Sequence, residues 1–225
     1  LIEDASEYHS EMQDCLDYFT KLWNERIAQP PRNDLISMLA HGESTRHMSP
    51  QEFLGNLILL IVGGNDTTRN SISGGVLALN QSPAEYDKLR ADTSLIPNMV
   101  SEIIRYQTPL AHMRRTATAD TELGGKLIRQ GDKVIMWYLS GNRDDSVIER
   151  ADEFLIDRAK ARQHLSFGFG VHRCMGNRLA EMQLRILWEE IMARFEMVEV
   201  VGEPVRVPSN FIHGFTDLPV RVHPL

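Results

Sequence analysis

Cysteine is scarce in this sequence, which has only Cys15 and Cys174 among its 225 residues. Two cysteines this far apart, in unrelated surroundings, do not form the dense disulfide framework that stabilises small secreted domains. Residues 1–15 are acidic and polar, which is unlike a signal peptide. We therefore expect a reducing, cytoplasmic location.

The sequence also lacks a long apolar run and an excess of positive charge. Its longest apolar stretch, residues 53–64, is short and contains Asn56, so we expect a buried core helix there and no membrane span. Asp and Glu number 31 against 24 Lys and Arg, giving a net charge of −7. Nucleic-acid binding requires a basic field, so no nucleic-acid partner is expected.

Helical patterns fill the first part of the chain. Residues 7–28 place apolar side chains three or four positions apart, which is the spacing of one face of an α-helix. Two prolines end this pattern, and Asp34 is placed to cap a short helix that ends near residues 41–42. Residues 49–52, Ser-Pro-Gln-Glu, predict the start of a long helix that continues to about Asn80.

The second part of the chain alternates between helical and extended patterns. Further helices are predicted from residue 82 to before 95, over 98–107, and from just after Cys174 to about 195. β-Branched runs and Gly-Gly turns predict short antiparallel strands over 110–140 and again over 196–225, with an irregular segment over 141–165. The fold class is therefore mainly α with small antiparallel β-sheets (α+β).

Cys174 lies in a glycine-rich loop, FGFGVHRCMG at residues 167–176, directly before a predicted helix. Glycines let backbone N–H groups approach the sulfur, and a helix N-terminus stabilises a thiolate. A thiolate held in this way is a good ligand for a soft or redox-active metal. A small buried hydrophobe or an idle thiol is the alternative interpretation.

The pattern F-G-x-G-x-H-R-C-x-G resembles the proximal haem-ligand loop of the cytochrome P450 monooxygenases. This resemblance implies a haem b cofactor, iron protoporphyrin IX, with Cys174 as the axial ligand of the iron. It also places Phe167, Gly168 and His172 among the residues that bind the cofactor.

Two glycines and a carboxylate interrupt the long apolar helix at Gly63-Gly64-Asn65-Asp66-Thr67-Thr68. Glycine inside a helix costs about 1 kcal/mol relative to Ala, which suggests that something large approaches the backbone. The segment resembles the oxygen-activating kink of cytochrome P450, (A/G)-G-x-(D/E)-T. The resemblance implies a cofactor contact at Gly64, a proton-relay acid at Asp66 and a hydroxyl beside dioxygen at Thr67. A close helix–helix crossing is the alternative.

Glu102 and Arg105 share one helix face and can form an ion pair. The pair resembles the E-x-x-R motif of the same family, and Arg158 has the place of the arginine that completes its structural ion cluster. An ordinary surface pair, which contributes little to stability, is the alternative.

A cation is needed for the haem propionates, and the arginine fork suits carboxylates. By resemblance Arg115 takes this role with His172 as its partner, and Arg114 is the alternative if the register shifts by one. His172 can equally be a loop histidine without a role in binding.

Five basic residues and no acidic one occur between residues 158 and 178, namely Arg158, Lys160, Arg162, Arg173 and Arg178. Such a cluster can steer an acidic electron-transfer partner. The alternative is that some of its members bind haem or Glu102 internally. The resemblance implies ferredoxin and ferredoxin reductase as electron donors.

Leu110–Met113 and Phe211–Ile212 match the substrate-contacting loops of the family. Their mostly apolar side chains suit a hydrophobic small-molecule substrate, although such residues can equally belong to the core.

Four motifs in the family's order imply that residues 1–225 form the C-terminal haem-binding portion of a single cytochrome P450 domain. The chain begins at Leu1, within a helical pattern, so we expect the N-terminal part of the fold to be absent. The implied activity is insertion of one oxygen atom of dioxygen into a C–H bond. Within the family the sequence is most similar to terminal hydroxylases of medium-chain alkanes and fatty acids. The alternatives are a steroid side-chain hydroxylase and a non-catalytic haem-binding protein or fragment.

Overall fold

The computed structural model describes the backbone of residues 5–225 and the side chains of residues 12–225. The chain divides into two compact units, one ending at Ile61 and the other beginning at Val62. Within the described residues the first unit contains only helices and loops, and the second contains further helices and every strand.

Helices dominate the chain and follow the predicted order. They are α1 (Ala5–Ile27), α2 (Leu35–His41), α3 (Pro50–Gly64), α4 (Asp66–Gln81), α5 (Pro83–Ala91), α6 (Ile96–Gln107), α7 (Tyr138–Gly141) and α8 (Asn177–Arg194).

Local capping signals set two helix starts in the first unit. Asp34 accepts a hydrogen bond from the Ser37 N–H at 2.8 Å and caps α2, as its position predicted. Ser49 and Glu52 form a reciprocal capping box before α3, in which the Ser49 N–H donates to Glu52 at 2.8 Å and the Glu52 N–H to Ser49 at 3.3 Å. Both starts predicted from the sequence are confirmed.

The long helix predicted to run to about Asn80 is interrupted. Asn65 separates α3 from α4 and has φ −106° and ψ −75°. The Thr67 hydroxyl donates to the Gly63 carbonyl at 3.2 Å and so competes for the acceptor that a continuous helix would use. Two preceding glycines weaken the helix at the same point, which explains why one predicted helix becomes two.

The core of the second unit lies between α4, α6 and α8. It contains Leu79, Met99, Ile103, Leu184 and Trp188, all of which are fully buried. Helix α6 ends at Gln107 because Thr108 adopts a left-handed conformation with φ +42°. The chain therefore turns away one residue before Pro109, where the sequence placed the stop.

The strands form four separate antiparallel pairs. They are β1 (His112–Thr116), β2 (Thr121–Leu123), β3 (Lys126–Ile128), β4 (Lys133–Trp137), β5 (Phe195–Val200), β6 (Val205–Arg206), β7 (Phe215–Asp217) and β8 (Val220–Pro224). The pairs are β1 with β4, β2 with β3, β5 with β8 and β6 with β7. The small antiparallel sheets predicted over 110–140 and 196–225 are thus confirmed.

An irregular segment runs from the end of α7 to the start of α8, as the sequence predicted for residues 141–165. It is well packed, since Ala151, Phe154, Ile156 and Ala161 are buried. In the part of the chain that the structure describes, no helix is both long and apolar enough to cross a membrane.

Candidate functional site

The loop that carries Cys174 is closed by backbone hydrogen bonds. The Cys174 N–H donates to the Phe167 carbonyl at 2.9 Å, and the Gly168 N–H donates to the Leu165 carbonyl at 2.7 Å. Gly168 has φ +66°, a conformation that L-residues rarely adopt, and an added Cβ would lie 3.0 Å from the Tyr138 hydroxyl. This position therefore requires glycine.

The Cys174 side chain is free and exposed. It precedes α8 by three residues, and the Asn177 side chain donates to the Cys174 carbonyl at 2.5 Å. An added Cβ at Gly176 would come within 3.9 Å of the sulfur. The loop thus presents the thiol just before the N-terminus of α8.

The loop that carries Cys174 also exposes large apolar side chains. Phe169 is 82% exposed, Val171 95% and Met175 90%. Soluble proteins rarely expose so many neighbouring apolar groups unless the surface binds something. This surface is suited to contact with an apolar ligand or chain.

Glu102 is the centre of a buried ion cluster. Its carboxylate accepts from Arg105 Nε and Nη2, both at 2.8 Å, and from Arg158 Nε at 3.0 Å. The Leu155 N–H donates to it at 3.0 Å. The side chain of Glu102 is 0% exposed and that of Arg105 1%. The structure thus brings Glu102, Arg105 and Arg158 together in the protein interior.

Both arginines of the cluster also hold the irregular segment. Arg105 Nη1 donates to the carbonyls of Asn142 and Ala151, each at 2.7 Å. Arg158 Nη2 donates to the carbonyls of Arg150 and Glu153, at 2.9 and 2.8 Å. These bonds fix the chain that leads into the Cys174 loop.

Asn142 is a supporting residue that the sequence analysis did not single out. It is fully buried, and its amide nitrogen donates to the hydroxyls of Thr108 and Ser166, both at 2.9 Å. Its amide oxygen accepts from the Leu165 N–H at 2.7 Å, and Ser166 donates to the Ile104 carbonyl at 2.7 Å. These contacts join α6 to the start of the Cys174 loop, across distances in sequence that no local pattern reveals.

His164 lies at the entrance of the same loop. Its ring centroid is 5.2 Å from that of Phe167, and its Nδ1 accepts from the Ser166 N–H at 3.2 Å. Burial, followed by the nearby Arg173 cation, lowers the pKa of His164 to about 4. The ring is therefore neutral at pH 7 and carries its proton on Nε2.

Asp66 and Thr67 lie at the start of α4, half-buried. Asp66 pairs with Arg69 at 3.0 Å, and the Thr67 hydroxyl donates to the Gly63 carbonyl. An added Cβ at Gly64 would meet nothing within 4 Å. Within residues 5–225 neither Asp66 nor Thr67 hydrogen-bonds to the Cys174 loop.

Arg114 and Arg115 are neighbours on β1 with different exposure. Arg115 is half-buried and Arg114 is exposed. Arg115 Nη1 donates to the Arg114 carbonyl at 3.0 Å, which leaves most of its guanidinium donors available. The side chain of His172 is exposed and makes no hydrogen bond with any residue that the structure describes.

The basic cluster of residues 158–178 is weaker than the sequence suggested. Arg158 is buried against Glu102, and Arg162 and Arg178 both pair with Glu181, at 2.7 and 3.3 Å. Glu181 lies three residues beyond the end of the basic cluster, so the sequence pattern did not include this acidic partner. Among the described residues only two of the five cations, Lys160 and Arg173, lack an ion-pair partner.

The two proposed substrate loops are adjacent. The Ala111 N–H donates to the Phe211 carbonyl at 2.9 Å, and Leu110 and Ile212 form an isolated antiparallel bridge. The His112 ring packs edge-on against Trp137, with ring centroids 4.7 Å apart. Two distant parts of the sequence thus form one apolar surface.

Comparison with known proteins gives a consistent family. Residues 2–220 match the family model for Cytochrome P450. The chain is 41% identical over 230 residues to the linalool 8-monooxygenase of Pseudomonas putida, covering 99% of this chain and 56% of that protein. It is 40% identical over 224 residues to a methyl-branched lipid omega-hydroxylase of Mycobacterium bovis, covering 98% and 52%. The chain spans about half the length of the curated relatives it matches.

The fold has a solved counterpart. Cytochrome P450-153 from Novosphingobium aromaticivorans superimposes with a TM-score of 0.93 at 55% identity, covering 99% of this chain and 55% of that chain. This agreement confirms the fold class predicted from the sequence.

Proposed function

Because this chain belongs to the cytochrome P450 family, we propose that residues 1–225 form the haem-binding portion of a haem-thiolate monooxygenase. They belong to a single catalytic domain in this proposal. Its reaction inserts one oxygen atom of dioxygen into a C–H bond of a hydrophobic substrate. The observation that carries the proposal is the free, exposed Cys174 in a glycine-constrained loop that a buried ion cluster supports.

The residues present fit haem b. No group of three or more His, Cys, Asp or Glu side chains in the described part of the chain could hold a metal ion. A thiolate is one of the ligands by which proteins hold haem iron, so the chemistry of Cys174 suits this group. The half-buried Arg115 and the exposed His172 are donors suited to carboxylates, and Phe169 and Val171 offer apolar contact.

Haem held by the Cys174 thiolate supplies the oxygen activation that the reaction requires. The protein's part is to hold that thiolate in place. Gly168 gives the loop its left-handed turn, and the Phe167 carbonyl accepts from the Cys174 N–H. The Glu102 cluster and Asn142 bond the segment that leads into the loop.

Asp66 and Thr67 are the proposed proton-handling residues. The Thr67 hydroxyl donates a hydrogen bond to the Gly63 carbonyl, so the lone pairs of Oγ1 remain free to accept a hydrogen bond from another group. Asp66 pairs with Arg69 at 3.0 Å, and its side chain is 43% exposed and so accessible to water. In this proposal Asp66 and Thr67 lie on the path by which protons reach the site, and Thr67 Oγ1 accepts a hydrogen bond there. A protein that only retained haem would not need this pair.

Linear hydrophobic chains are the proposed substrate class, with terminal hydroxylation of medium-chain alkanes or fatty acids as the reaction. The omega-hydroxylase among the relatives and the apolar surface of Leu110, Ala111 and Ile212 support this choice. An alkane has no polar group, so binding must come from burial of CH₂ groups, at about 0.8 kcal/mol each. Affinity should then rise with chain length until the site is full.

Electron donation is assigned to ferredoxin and its reductase. Lys160 and Arg173 are exposed cations without ion-pair partners in the described residues, and Arg173 directly precedes Cys174. Cations beside the haem ligand suit an acidic electron-transfer partner.

The test of the proposal is the carbon monoxide difference spectrum of the reduced, haem-loaded protein. Cys174→Ala should abolish the thiolate-type spectrum, and the matched variant Cys15→Ala should retain it. An unchanged spectrum in the Cys174 variant would refute the ligand assignment.

A second experiment separates catalysis from simple haem binding. Thr67→Ala should retain the thiolate spectrum and bind substrate, but release hydrogen peroxide in place of hydroxylated product. Full coupling of electron use to product in this variant would exclude Thr67 from proton delivery.

Product analysis identifies the substrate. A chain-length series of alkanes and fatty acids is compared with cholestenone, and terminal alcohols of medium chains are expected. Turnover of the steroid alone would favour a steroid side-chain hydroxylase.

A further inference from the structure

Gln107 and His213 bind each other through two reciprocal hydrogen bonds. His213 Nδ1 donates to the Gln107 carbonyl at 2.5 Å, and Gln107 Nε2 donates to the His213 carbonyl at 2.6 Å. Each side chain thus donates a hydrogen bond to the backbone carbonyl of the other residue. We name this pair the Gln107–His213 clasp.

The protonation state of His213 follows from its neighbours. Arg206 Nη1 lies 3.3 Å from His213 Nε2 and can only donate, so Nε2 accepts and the ring proton is on Nδ1. Burial lowers the pKa of His213, and the Arg206 and Arg143 cations lower it further. The ring is therefore neutral at pH 7, in the tautomer that the clasp requires.

The clasp closes one end of a short antiparallel contact. The His213 N–H donates to the Pro109 carbonyl and the Ala111 N–H to the Phe211 carbonyl, both at 2.9 Å. Ser209 Oγ accepts from the N–H groups of Phe211 and Ile212, at 3.1 and 3.0 Å. Residues 211–213 are therefore tied to residues 107–111, and Ser209 stabilises the turn that precedes them.

Helix α4 supports the same arrangement. Gln107 is only 4% exposed, and its side chain lies so close to Gly74 that any Cβ there would collide with it. Two residues beyond His213, Asn70 Oδ1 accepts from the Phe215 N–H at 3.2 Å. Two buried amide side chains, from α6 and α4, thus hold the C-terminal end of the segment.

We propose that the Gln107–His213 clasp positions Phe211 and Ile212 against Leu110 and thereby sets the specificity for hydrophobic substrates. The proposal rests on the proposed function, because it takes the apolar surface of these loops as a wall of the substrate site. Phe211 and Ile212 immediately precede His213 and are half-buried. Gln107 and His213 are positioning residues and need not touch the substrate.

The consequence of breaking the clasp can be estimated. Removing one donor leaves a buried carbonyl without its partner, and a hydrogen bond of this kind changes an equilibrium by about tenfold. Local opening of residues 209–214 should become more frequent by that factor, while the core between α4, α6 and α8 stays closed.

Three variants test the clasp in the haem-loaded protein. His213→Phe keeps a ring but removes the Nδ1 donor, His213→Asn keeps an amide donor near the same place, and Gln107→Met removes the other donor at similar length. The control is His223→Phe, which removes a histidine of β8 that bonds Glu199 in β5. Should His213→Phe fail to fold, Gln107→Met is the decisive variant.

The first measurement is amide hydrogen exchange. The second is the Kd of dodecanoic acid by calorimetry, together with product analysis that gives the positions at which this acid is hydroxylated. In His213→Phe and Gln107→Met we expect the amide hydrogens of residues 209–214, and only these, to exchange about tenfold faster. The Kd of dodecanoic acid should rise by a similar factor, and more of the product should be hydroxylated at subterminal carbons. His213→Asn should restore most of the wild-type behaviour, and His223→Phe should have no effect on the segment.

Two results would overturn the proposal. Unchanged exchange over 209–214 would mean that the clasp does not hold the segment. Faster exchange with unchanged Kd and product positions would mean that the segment does not set specificity. Failure of the proposed function would be seen in a different measurement, the carbon monoxide spectrum of the wild type. The dodecanoic acid affinities of the variants could still be compared in that case.

Discussion

Glu102 and Cys174 lie in the same compact unit, and their surroundings are opposite. The Glu102 carboxylate is 0% exposed and is bonded by two arginines and a backbone N–H. The Cys174 thiol is free and exposed, with apolar neighbours that are almost fully accessible. The charged groups of the first region are satisfied by the protein itself, whereas the reactive group of the second is left available for a ligand.

This difference shows how the chain divides its polar groups between support and chemistry. A buried polar network is useful only when every member is bonded, and a site for chemistry must keep its donor atoms open. Asn142 connects the two regions, because it bonds both α6 and the start of the Cys174 loop. The following changes test the division, from the largest expected effect to the smallest.

Glu102→Ala should have the largest effect on stability. The change leaves Arg105 and Arg158 buried without a counter-charge, and we expect a loss of about 3–5 kcal/mol in the free energy of unfolding. Urea denaturation measures it.

Glu181→Ala is the matched control, because Glu181 also pairs with two arginines but on the surface. It should cost no more than about 1 kcal/mol. Equal losses in the two variants would abolish the distinction between the regions.

His164 should make stability depend on pH. Its pKa is about 4 in the folded state against 6.5 for the free side chain, so the unfolded chain binds more protons between these values. The contribution of His164 to the free energy of unfolding should be fully present above pH 6.5. It should be lost, by about 3 kcal/mol in all, as the pH falls from 6.5 through 4. Denaturation at several pH values measures the slope.

His164→Asn removes the titrating ring and keeps an acceptor for the Ser166 N–H. The other acidic groups titrate alike in both proteins, so the difference between wild type and variant isolates His164. Parallel pH curves for the two proteins would contradict the predicted protonation.

Asn142→Ala should cost about 2–3 kcal/mol, because it leaves buried partners in both α6 and the loop unpaired. Hydrogen exchange should accelerate in the Cys174 loop more than in α8. The control is Asn177→Ala, which removes a single bond to the Cys174 carbonyl near the surface. A uniform acceleration over the whole unit would mean that Asn142 does not act as a specific connection.

Cys174→Ala should have the smallest effect on folding. The side chain is exposed, so the unfolding free energy of the protein without haem should change by less than about 0.5 kcal/mol. The same substitution is expected to abolish the thiolate spectrum of the haem-loaded protein. A large loss of stability without haem would place Cys174 among the supporting residues.

Local signals in the sequence predicted much of the fold. Asp34, the Ser49–Glu52 box and the glycine pattern before Cys174 each act within a few residues, and the structure has the corresponding caps and turns. At residues 63–68 the sequence predicted a kink within one long helix, whereas the structure separates two helices at Asn65, where the Thr67 hydroxyl competes for the Gly63 carbonyl.

Contacts between distant residues were mostly beyond the sequence. Asn142 with Ser166 and Gln107 with His213 join segments whose spacing has no period, so no local pattern predicts them. Arg158 and Glu102 were paired through the family resemblance rather than through spacing. The basic cluster was overestimated because a count along the chain does not show which charges meet in space.

Thr108, the residue that follows α6, has a strained backbone conformation that bears on how the protein folds. A β-branched residue in the left-handed region is unfavourable by about 1–2 kcal/mol, so an isolated α6 would avoid this turn. The Thr108 hydroxyl donates to the Arg105 carbonyl at 2.6 Å and accepts from Asn142 at 2.9 Å, and these bonds offset the strain. We therefore expect the left-handed turn at the end of α6 to be stable only when the entrance to the Cys174 loop is folded, which amide hydrogen exchange of the two segments can test.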